Sequence, residues 1–264
     1  MHIATHRIEG GPRRIAFMHG LMGRGRNFTS PAKALADDAT SLLIDLPNHG
    51  RSDWTRDFDY VEIADEVAEM LRADFGSEEP IVLLGHSLGG KVAMTLALRH
   101  PDLLKALIVE DISPTDTGNY STFDHLLGSL RSVDLQSVSE RSEVEEQLAE
   151  PIPEDSIRQF LMQNLRRTDR GYQWQPNLEM LYQNLDAIAG FPELTASYEG
   201  PVLWIKGEQS NYIDDDSAVV MRELFPKVRK STVRGANHWV HSEKPQEFVA
   251  LLKSFLDSLY PTDA

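Results

Sequence analysis

The stretch PIVLLGHSLGG, residues 80–90, joins a short apolar run to a serine with glycines on both sides. Pro80–Leu84 has the length and composition of a buried strand, and Leu88–Arg99 is apolar nearly all round, as in a helix packed against a sheet. A G-x-S-x-G pattern between a strand and a helix places the serine on a sharp turn, with Oγ exposed and the helix N-terminus facing it. The strand and helix context makes the short pattern specific. Ser87 is therefore the candidate nucleophile.

Apolar runs alternate with amphipathic helical segments on both sides of this stretch. This alternation is typical of βαβ units and a mostly parallel sheet. The predicted fold class is α/β, with a central sheet covered by helices on both faces. The other predicted strands are Arg14–Met18, Ser41–Asp45, Ala106–Glu110, Pro201–Lys206 and a more polar one near an edge, Val228–Val233.

Residues 113–190 interrupt the alternation, because they show helical patterns and no evident strand. We expect a helical lid here, inserted between two parts of an α/β core, 1–112 and 191–264. It would cover the carboxyl edge of the sheet, where open α/β sheets bind ligands. The alternative is a helical excursion that covers nothing functional. Two apolar stripes support helices, formed by Ile157, Phe160, Leu161 and Leu165 and by Leu178, Leu181, Tyr182, Leu185 and Ile188.

Composition excludes several classes of protein. The hydrophobic fraction of 41% and charged fraction of 25% are those of an ordinary folded domain. The absence of cysteine excludes disulfides, thiolate metal sites and cysteine nucleophiles. A net charge of −15 argues against nucleic acid as a partner. No stretch is long and apolar enough for a membrane span or a signal peptide, so we expect a cytoplasmic protein without cofactor or metal.

A second glycine-bearing loop, His19-Gly20-Leu21-Met22-Gly23, follows the first predicted strand. An oxyanion needs two N–H donors that converge from different segments, and this loop can supply one of them beside the serine turn. The backbone N–H groups of Leu21 and Leu88 are the candidates. We interpret His19 as a structural residue that fixes the loop.

His238 is the candidate general base. The chain order of this fold is Ser, then Asp or Glu, then His, so the base should follow the last strand. His238 lies in the sequence RGANHW, between Val233 and the final helix. His241 follows three residues later, and the pair could be read as H-x-x-H metal ligands, but no third ligand with suitable spacing accompanies them.

The acid of the triad has three candidates. It usually lies a few residues beyond the strand at Pro201–Lys206, but Ser210 occupies the expected position and Asp214 is the nearest aspartate. The alternative is the end of the preceding strand, at Glu110-Asp111. Successive strand residues point to opposite faces, so at most one of these two should reach the base. We favour Asp111, followed by Asp214 and Glu110.

Four motifs together resemble the α/β-hydrolase superfamily and, within it, the small bacterial esterases of the YbfF type. They are DLPNHGRS (45–52), GHSLGGK (85–91), EDISP (110–114) and NHWVHSEKP (237–245). Pro47 and Asn237 stand where that family commonly has Arg and Gly. The resemblance implies an acid displaced to the position of Asp111, and hydrolysis of short acyl esters or acyl thioesters through an acyl-enzyme.

Two other classes share the same residues. One comprises carbon–carbon bond hydrolases and cofactor-free perhydrolases, and the other is a receptor-like binding protein on this fold. Within the enzyme interpretation, the partner is a small-molecule ester or thioester, and the sequence does not define the oligomeric state. The aromatic candidates for the pocket are Tyr120, Trp174, Tyr182, Tyr212 and Trp239.

Overall fold

The computed structural model describes residues 1–76, 79–118 and 121–260. Its strands are β1 (Thr5–Met18), β2 (Ala39–Ile44), β3 (Ile81–His86), β4 (Leu104–Glu110), β5 (Leu165–Thr168), β6 (Gly171–Trp174), β7 (Val202–Gly207) and β8 (Val228–Val233). Its α-helices are α1 (Thr29–Ala34), α2 (Tyr60–Met70), α3 (Leu88–Arg99), α4 (Ser121–Ser132), α5 (Arg141–Ala149), α6 (Asp155–Met162), α7 (Leu178–Gln183), α8 (Leu185–Ala189), α9 (Asp215–Leu224), α10 (Val240–Glu243) and α11 (Pro245–Leu259). None of the helices within these ranges combines the length and apolarity needed to cross a bilayer. The cytoplasmic location stays a prediction.

Six strands form one sheet in the order β2-β1-β3-β4-β7-β8. Strand β3 is buried on both faces of this sheet. Ile81 and Leu83 belong to the apolar core on one face, and Val82 and Leu84 belong to the core on the other. Parallel sheets covered by helices on both faces need such continuous apolar runs. The predicted α/β fold is confirmed, and β8 lies at an edge as expected.

Strand β1 is longer than the sequence predicted, since it begins at Thr5 instead of Arg14. Its first half pairs with β2 in descending order, from Thr5↔Ile44 to Ile8↔Ser41, whereas residues 14–18 pair in ascending order. The chain turns between these halves at Gly10, where a Cβ would lie 2.3 Å from two backbone oxygens. The first half was missed because its residues are polar and largely exposed.

Residues 113–190, called here the helical insert, also contain a hairpin that the sequence did not reveal. Strands β5 and β6 pair antiparallel, from Leu165↔Trp174 to Thr168↔Gly171. The expectation that Leu165 continues a helical stripe is wrong, because α6 ends at Met162. Each strand has only four residues, too few for a clear alternating pattern, and Gly171 takes a φ of 107° after the turn.

The helical insert packs against loops at the carboxyl ends of the first strands. Asn164 Nδ2 donates to the backbone oxygen of Met22 at 2.7 Å. The N–H of Asn177 donates to the oxygen of Asn48 at 2.9 Å. These contacts place the insert at the carboxyl edge of the sheet, beside the serine turn.

Candidate active site

Ser87 occupies the sharp turn between β3 and α3, as the sequence predicted. Its φ of 52° and ψ of −119° are strained for a residue with a side chain. The turn requires glycine nearby: a Cβ at Gly85 would lie 2.1 Å from the oxygen of Gly89. The N–H of Ser87 donates to the oxygen of Glu110 at 3.0 Å, which fixes the turn to the neighbouring strand β4. Ser87 is only 6% exposed, yet it lines two adjoining clefts.

His238 and Asp111 are hydrogen-bonded in the buried interior next to this turn. Nδ1 of His238 lies 2.8 Å from Oδ2 of Asp111, whose side chain is fully buried. The same carboxylate accepts hydrogen bonds from the N–H of Gly207 at 2.9 Å and from Oγ of Ser210. Three donors therefore orient the carboxylate of Asp111.

The three candidate acids lie in different places. Asp214 is exposed and caps α9, where its Oδ1 accepts from the N–H of Ser217 at 2.7 Å. Glu110 points away from Asp111 and bonds His241 at 2.8 Å. Of the three carboxylates, Asp111 is the one bonded to His238, which agrees with the alternation of side chains along a strand.

His238 and Ser87 both line the first cleft. The other ring nitrogen of His238 is Nε2. This Nε2 is buried, with no hydrogen-bond partner among the described residues. The ring of Tyr212 lies 4.1 Å from the imidazole, centroid to centroid, and Trp239 lies 5.5 Å away. With Nδ1 donating to Asp111, Nε2 carries the lone pair that can take a proton.

A second buried cluster lies directly behind this site and consists of His86, Glu110 and His241. Each of these side chains offers an atom that could bind a metal ion, and these three atoms lie within 4.8 Å of one another. Among the described residues this is the group that meets that condition. Glu110 Oε1 accepts from both the backbone N–H and Nδ1 of His241, each at 2.8 Å. His238 and His241 thus bond different carboxylates, so they do not form the H-x-x-H pair that the sequence left as an alternative. We interpret the cluster as structural support.

Two buried neutral histidines hold the loop that carries Leu21. Nε2 of His19 accepts from the N–H of Leu46 at 3.0 Å, and its Nδ1 donates to the oxygen of Gly20 at 2.8 Å. Nε2 of His49 accepts from the N–H of Met22 at 3.2 Å. Burial lowers the pKa of His19 to about 4 and that of His49 to about 3. Both rings therefore stay uncharged at neutral pH.

The candidate N–H donors lie on either side of Ser87. Leu21 lies in the loop after β1. Leu88 is the first residue of α3, so its N–H has no acceptor within that helix. Both residues line the second cleft together with Ser87. A carbonyl oxygen bound there would lie near the N-terminus of α3, where the helix dipole favours negative charge.

Two clefts meet at Ser87, of about 330 and 370 Å³ with their open mouths included. The first cleft is lined by His19, Gly20, Leu21, Gly23, Asn27, Phe28, His86, Ser87, Phe123, Phe160, His238, Trp239 and His241. The second is lined by Leu21, Tyr60, Ser87, Leu88, Lys91, Ile112, Thr117, Phe123, Leu185, Ile188, Ala189 and Tyr212.

The aromatic candidates divide between these clefts and the interior of the insert. Trp239 lines the first cleft and Tyr212 the second. Trp174 and Tyr182 lie outside both clefts: Trp174 Nε1 donates to the oxygen of Leu130 inside the insert, and Tyr182 packs under Arg131. Tyr120 lies outside the described residues.

Sequence reasoning did not assign several cleft residues to the pocket, among them Lys91 and three others, Phe123, Phe160 and Thr117. Lys91 had a visible signal, since it is a charged residue in a helix that is otherwise apolar nearly all round. The other three carried no signal that separates a cleft wall from ordinary packing.

Comparison with known proteins identifies the family to which the chain belongs. The family model for the alpha/beta hydrolase fold matches residues 14–245. A relative named sn-1-specific diacylglycerol lipase ABHD11, from Danio rerio, is 37% identical, with 94% of this chain and 80% of that protein covered. Esterase YbfF of Escherichia coli is 26% identical, with 92% of each chain covered. A solved structure of a marine microorganism esterase superimposes with a TM-score of 0.91 at 33% identity, covering 96% of this chain and 98% of that one.

The fold and the family match define the class of this protein. It belongs to the α/β-hydrolase fold family. Within that family it resembles the YbfF-type esterases, as the four sequence motifs indicated.

Proposed function

We propose that this protein, a carboxylic ester hydrolase, cleaves short-chain acyl esters through a triad of Ser87, His238 and Asp111. The observation that carries the proposal is the 2.8 Å bond between His238 and Asp111, which leaves Nε2 of His238 without a partner among the described residues, in a histidine that lines the same cleft as Ser87. A serine hydroxyl becomes a competent nucleophile when such a base takes its proton.

The proposed reaction has two halves. Ser87 Oγ attacks the acyl carbon and gives its proton to His238 Nε2, while Asp111 stabilises the resulting imidazolium. The N–H groups of Leu21 and Leu88 hold the negative oxygen of the tetrahedral intermediate. His238 then protonates the leaving alcohol or thiol, and the acyl group stays on Ser87. Water repeats the sequence, which releases the carboxylic acid and restores Ser87.

Small clefts support a short acyl group and a modest leaving group. The two clefts hold only about 330 and 370 Å³ even when the open solvent at their mouths is counted, so the enclosed space is smaller still. The names of the similar proteins, an esterase and a diacylglycerol lipase, support a carboxylic ester as substrate. An acyl thioester fits the same chemistry, because a thiolate leaves at least as readily as an alkoxide.

The helical insert, residues 113–190, is proposed to act as the lid of this site, between core segments 1–112 and 191–264. Phe123 of α4 and Phe160 of α6 line the first cleft, and Leu185 and Ile188 of α8 line the second. The insert therefore supplies walls to both clefts, where it can shield the charged tetrahedral intermediate from bulk solvent.

Hydrolysis of p-nitrophenyl acetate by a Ser87→Ala variant tests the proposal. We expect turnover to fall by at least about 10³-fold while the circular dichroism spectrum stays that of the wild type. The exposed Ser242→Ala variant is the matched control and should keep wild-type turnover. Full activity of Ser87→Ala would contradict the proposed nucleophile.

A further inference from the structure

Lys91 is a buried lysine with all three ammonium protons engaged. It lies one helical turn after Ser87 in α3 and is 1% exposed. Its Nζ donates to the backbone oxygens of Thr115 at 2.9 Å and Gly190 at 2.8 Å, and also to that of Ala189. The three acceptors are neutral carbonyls. Burial lowers the pKa of Lys91 to about 7, although the charge of Asp116 acts in the opposite direction.

The three carbonyls belong to opposite ends of the helical insert. Thr115 lies where the chain enters the insert, and Ala189 and Gly190 lie where it leaves. The two ends also contact each other, since the N–H of Thr117 donates to the oxygen of Ala189 at 3.0 Å. Lys91 therefore joins both ends of the insert to the helix that follows the candidate nucleophile.

Lys91 is also a wall of the second cleft. Most of the lining there is apolar, from residues such as Leu88, Ile112, Leu185 and Ile188. Position 91 is four residues beyond Ser87, which corresponds to about 6 Å along the helix axis. An apolar chain that starts at Ser87 Oγ and runs along α3 would meet the lysine after a few carbons.

The two clefts have different roles in the proposed reaction. His238 lines the first cleft, and it must protonate the leaving group, so the leaving group belongs there. The acyl group then extends to the other side of Ser87, into the second cleft. This assignment rests on the proposed function of Ser87 and His238.

We propose that the second cleft is the acyl pocket and that Lys91 is its end wall, which limits the substrate to short acyl groups. Two effects act together at this wall. The polar amino group of Lys91 is an unfavourable neighbour for the end of an alkyl chain, and its three hydrogen bonds keep the ends of the insert from separating to lengthen the pocket.

A series of p-nitrophenyl esters from acetate to octanoate tests this role in Lys91→Met, which keeps the side-chain stem and removes the amino group. The wild type should lose kcat/KM beyond about hexanoate. In Lys91→Met the ratio of kcat/KM for octanoate to that for acetate should rise at least about tenfold, the discrimination that a pocket wall exerts on an extra methylene. Lys253→Met, a partly exposed lysine of α11, is the control and should keep the wild-type ratio.

A second variant makes the test independent of the folding of Lys91→Met. Thr117 lies in the wall of the same cleft and is partly exposed, so Thr117→Leu adds volume there with little risk to the core. The octanoate-to-acetate ratio should fall in this variant. An unchanged ratio in folded Lys91→Met, or in Thr117→Leu, would overturn the assignment.

Labelling with a small fluorophosphonate separates this inference from the proposed function. The probe needs only a reactive serine, so its labelling of Ser87 should continue in Lys91→Met. If Lys91→Met is labelled but its octanoate-to-acetate ratio is unchanged, only the proposed role of Lys91 is refuted. A wild type that resists labelling would instead contradict the proposed function.

Discussion

Asp111 and His238 are separated by 127 residues in the chain, and a hydrogen bond of 2.8 Å joins them in the fold. A second pair repeats the arrangement, because Glu110, the residue before Asp111, bonds His241 at the same distance. Glu110 ends β4 and Asp111 directly follows it, and their carboxylates point in different directions. The segment after β8 supplies a histidine to each carboxylate, His238 from a loop and His241 from α10. This geometry yields separate predictions for the two pairs.

The first prediction compares Asp111→Asn with Asp214→Asn. Asparagine at position 111 cannot stabilise the imidazolium of His238, so kcat for p-nitrophenyl acetate should fall by on the order of 10⁴-fold, as for the same change in a serine protease triad. Asp214 is exposed and serves as a helix cap, so its variant should keep most of kcat. A loss confined to Asp214→Asn would show that the acid is wrongly assigned.

Ser210 should matter through the carboxylate that it contacts. Ser210→Ala removes one of three hydrogen bonds to Asp111, and a hydrogen bond to a charged group contributes about 1.5–3 kcal/mol. We expect kcat for p-nitrophenyl acetate to fall about tenfold, with KM little changed. Ser242→Ala provides the comparison, and equal rates in the two variants would mean that Ser210 does not orient Asp111.

The second pair, Glu110 and His241, should contribute to stability. His241→Phe leaves the fully buried carboxylate of Glu110 with one donor fewer, and removal of one member of a buried pair costs about 3–5 kcal/mol. Urea denaturation should show a decrease of that order in the free energy of unfolding. The double variant Glu110→Gln/His241→Phe removes the uncompensated charge. It should therefore recover part of the lost free energy of unfolding. A double variant less stable than His241→Phe would argue against this account.

Acid should destabilise the fold through His49. Its folded pKa of about 3 is below the ordinary value of 6.5, so the unfolded chain binds more protons between these values and stability falls as pH falls. His49 contributes about 1 kcal/mol per pH unit to the slope of the free energy of unfolding against pH in this range. The free energy of unfolding, measured at pH 7, 6 and 5, should decrease less steeply in His49→Gln. The exposed His6→Gln variant should keep the wild-type slope, and identical slopes in all three proteins would contradict this role.

The turn that carries Ser87 and the position of His238 beside it could be predicted from the sequence, because each depends on a short contiguous pattern. Ser87 lies between an apolar strand and an apolar helix, and His238 follows the last strand. The acid was harder, since Glu110, Asp111 and Asp214 each fit part of the pattern. The structure separates them by direction: the three point to His241, His238 and the N-terminus of α9.

Other features depend on contacts that a sequence does not display. The β5–β6 hairpin has strands of four residues, and Leu165 fits a helical stripe as well as a strand. Lys91 could be seen as an unusual charge in an apolar helix, but its partners at positions 115, 189 and 190 are far away in the chain. Trp174 and Tyr182 were expected in the pocket but lie outside both clefts. Their sequence does not separate the two locations, because aromatic residues suit a pocket wall and the packed interior of the insert equally.

The central claim is that Ser87 is the reactive serine, and covalent labelling tests it most directly. Purified protein treated with a fluorophosphonate would be digested with trypsin, and the peptide spanning residues 73–91 sequenced by mass spectrometry. We predict one phosphonyl adduct per chain, located on Ser87, with loss of esterase activity in proportion to labelling. Complete inactivation with the adduct on another residue, or full activity with Ser87 fully labelled, would contradict the account.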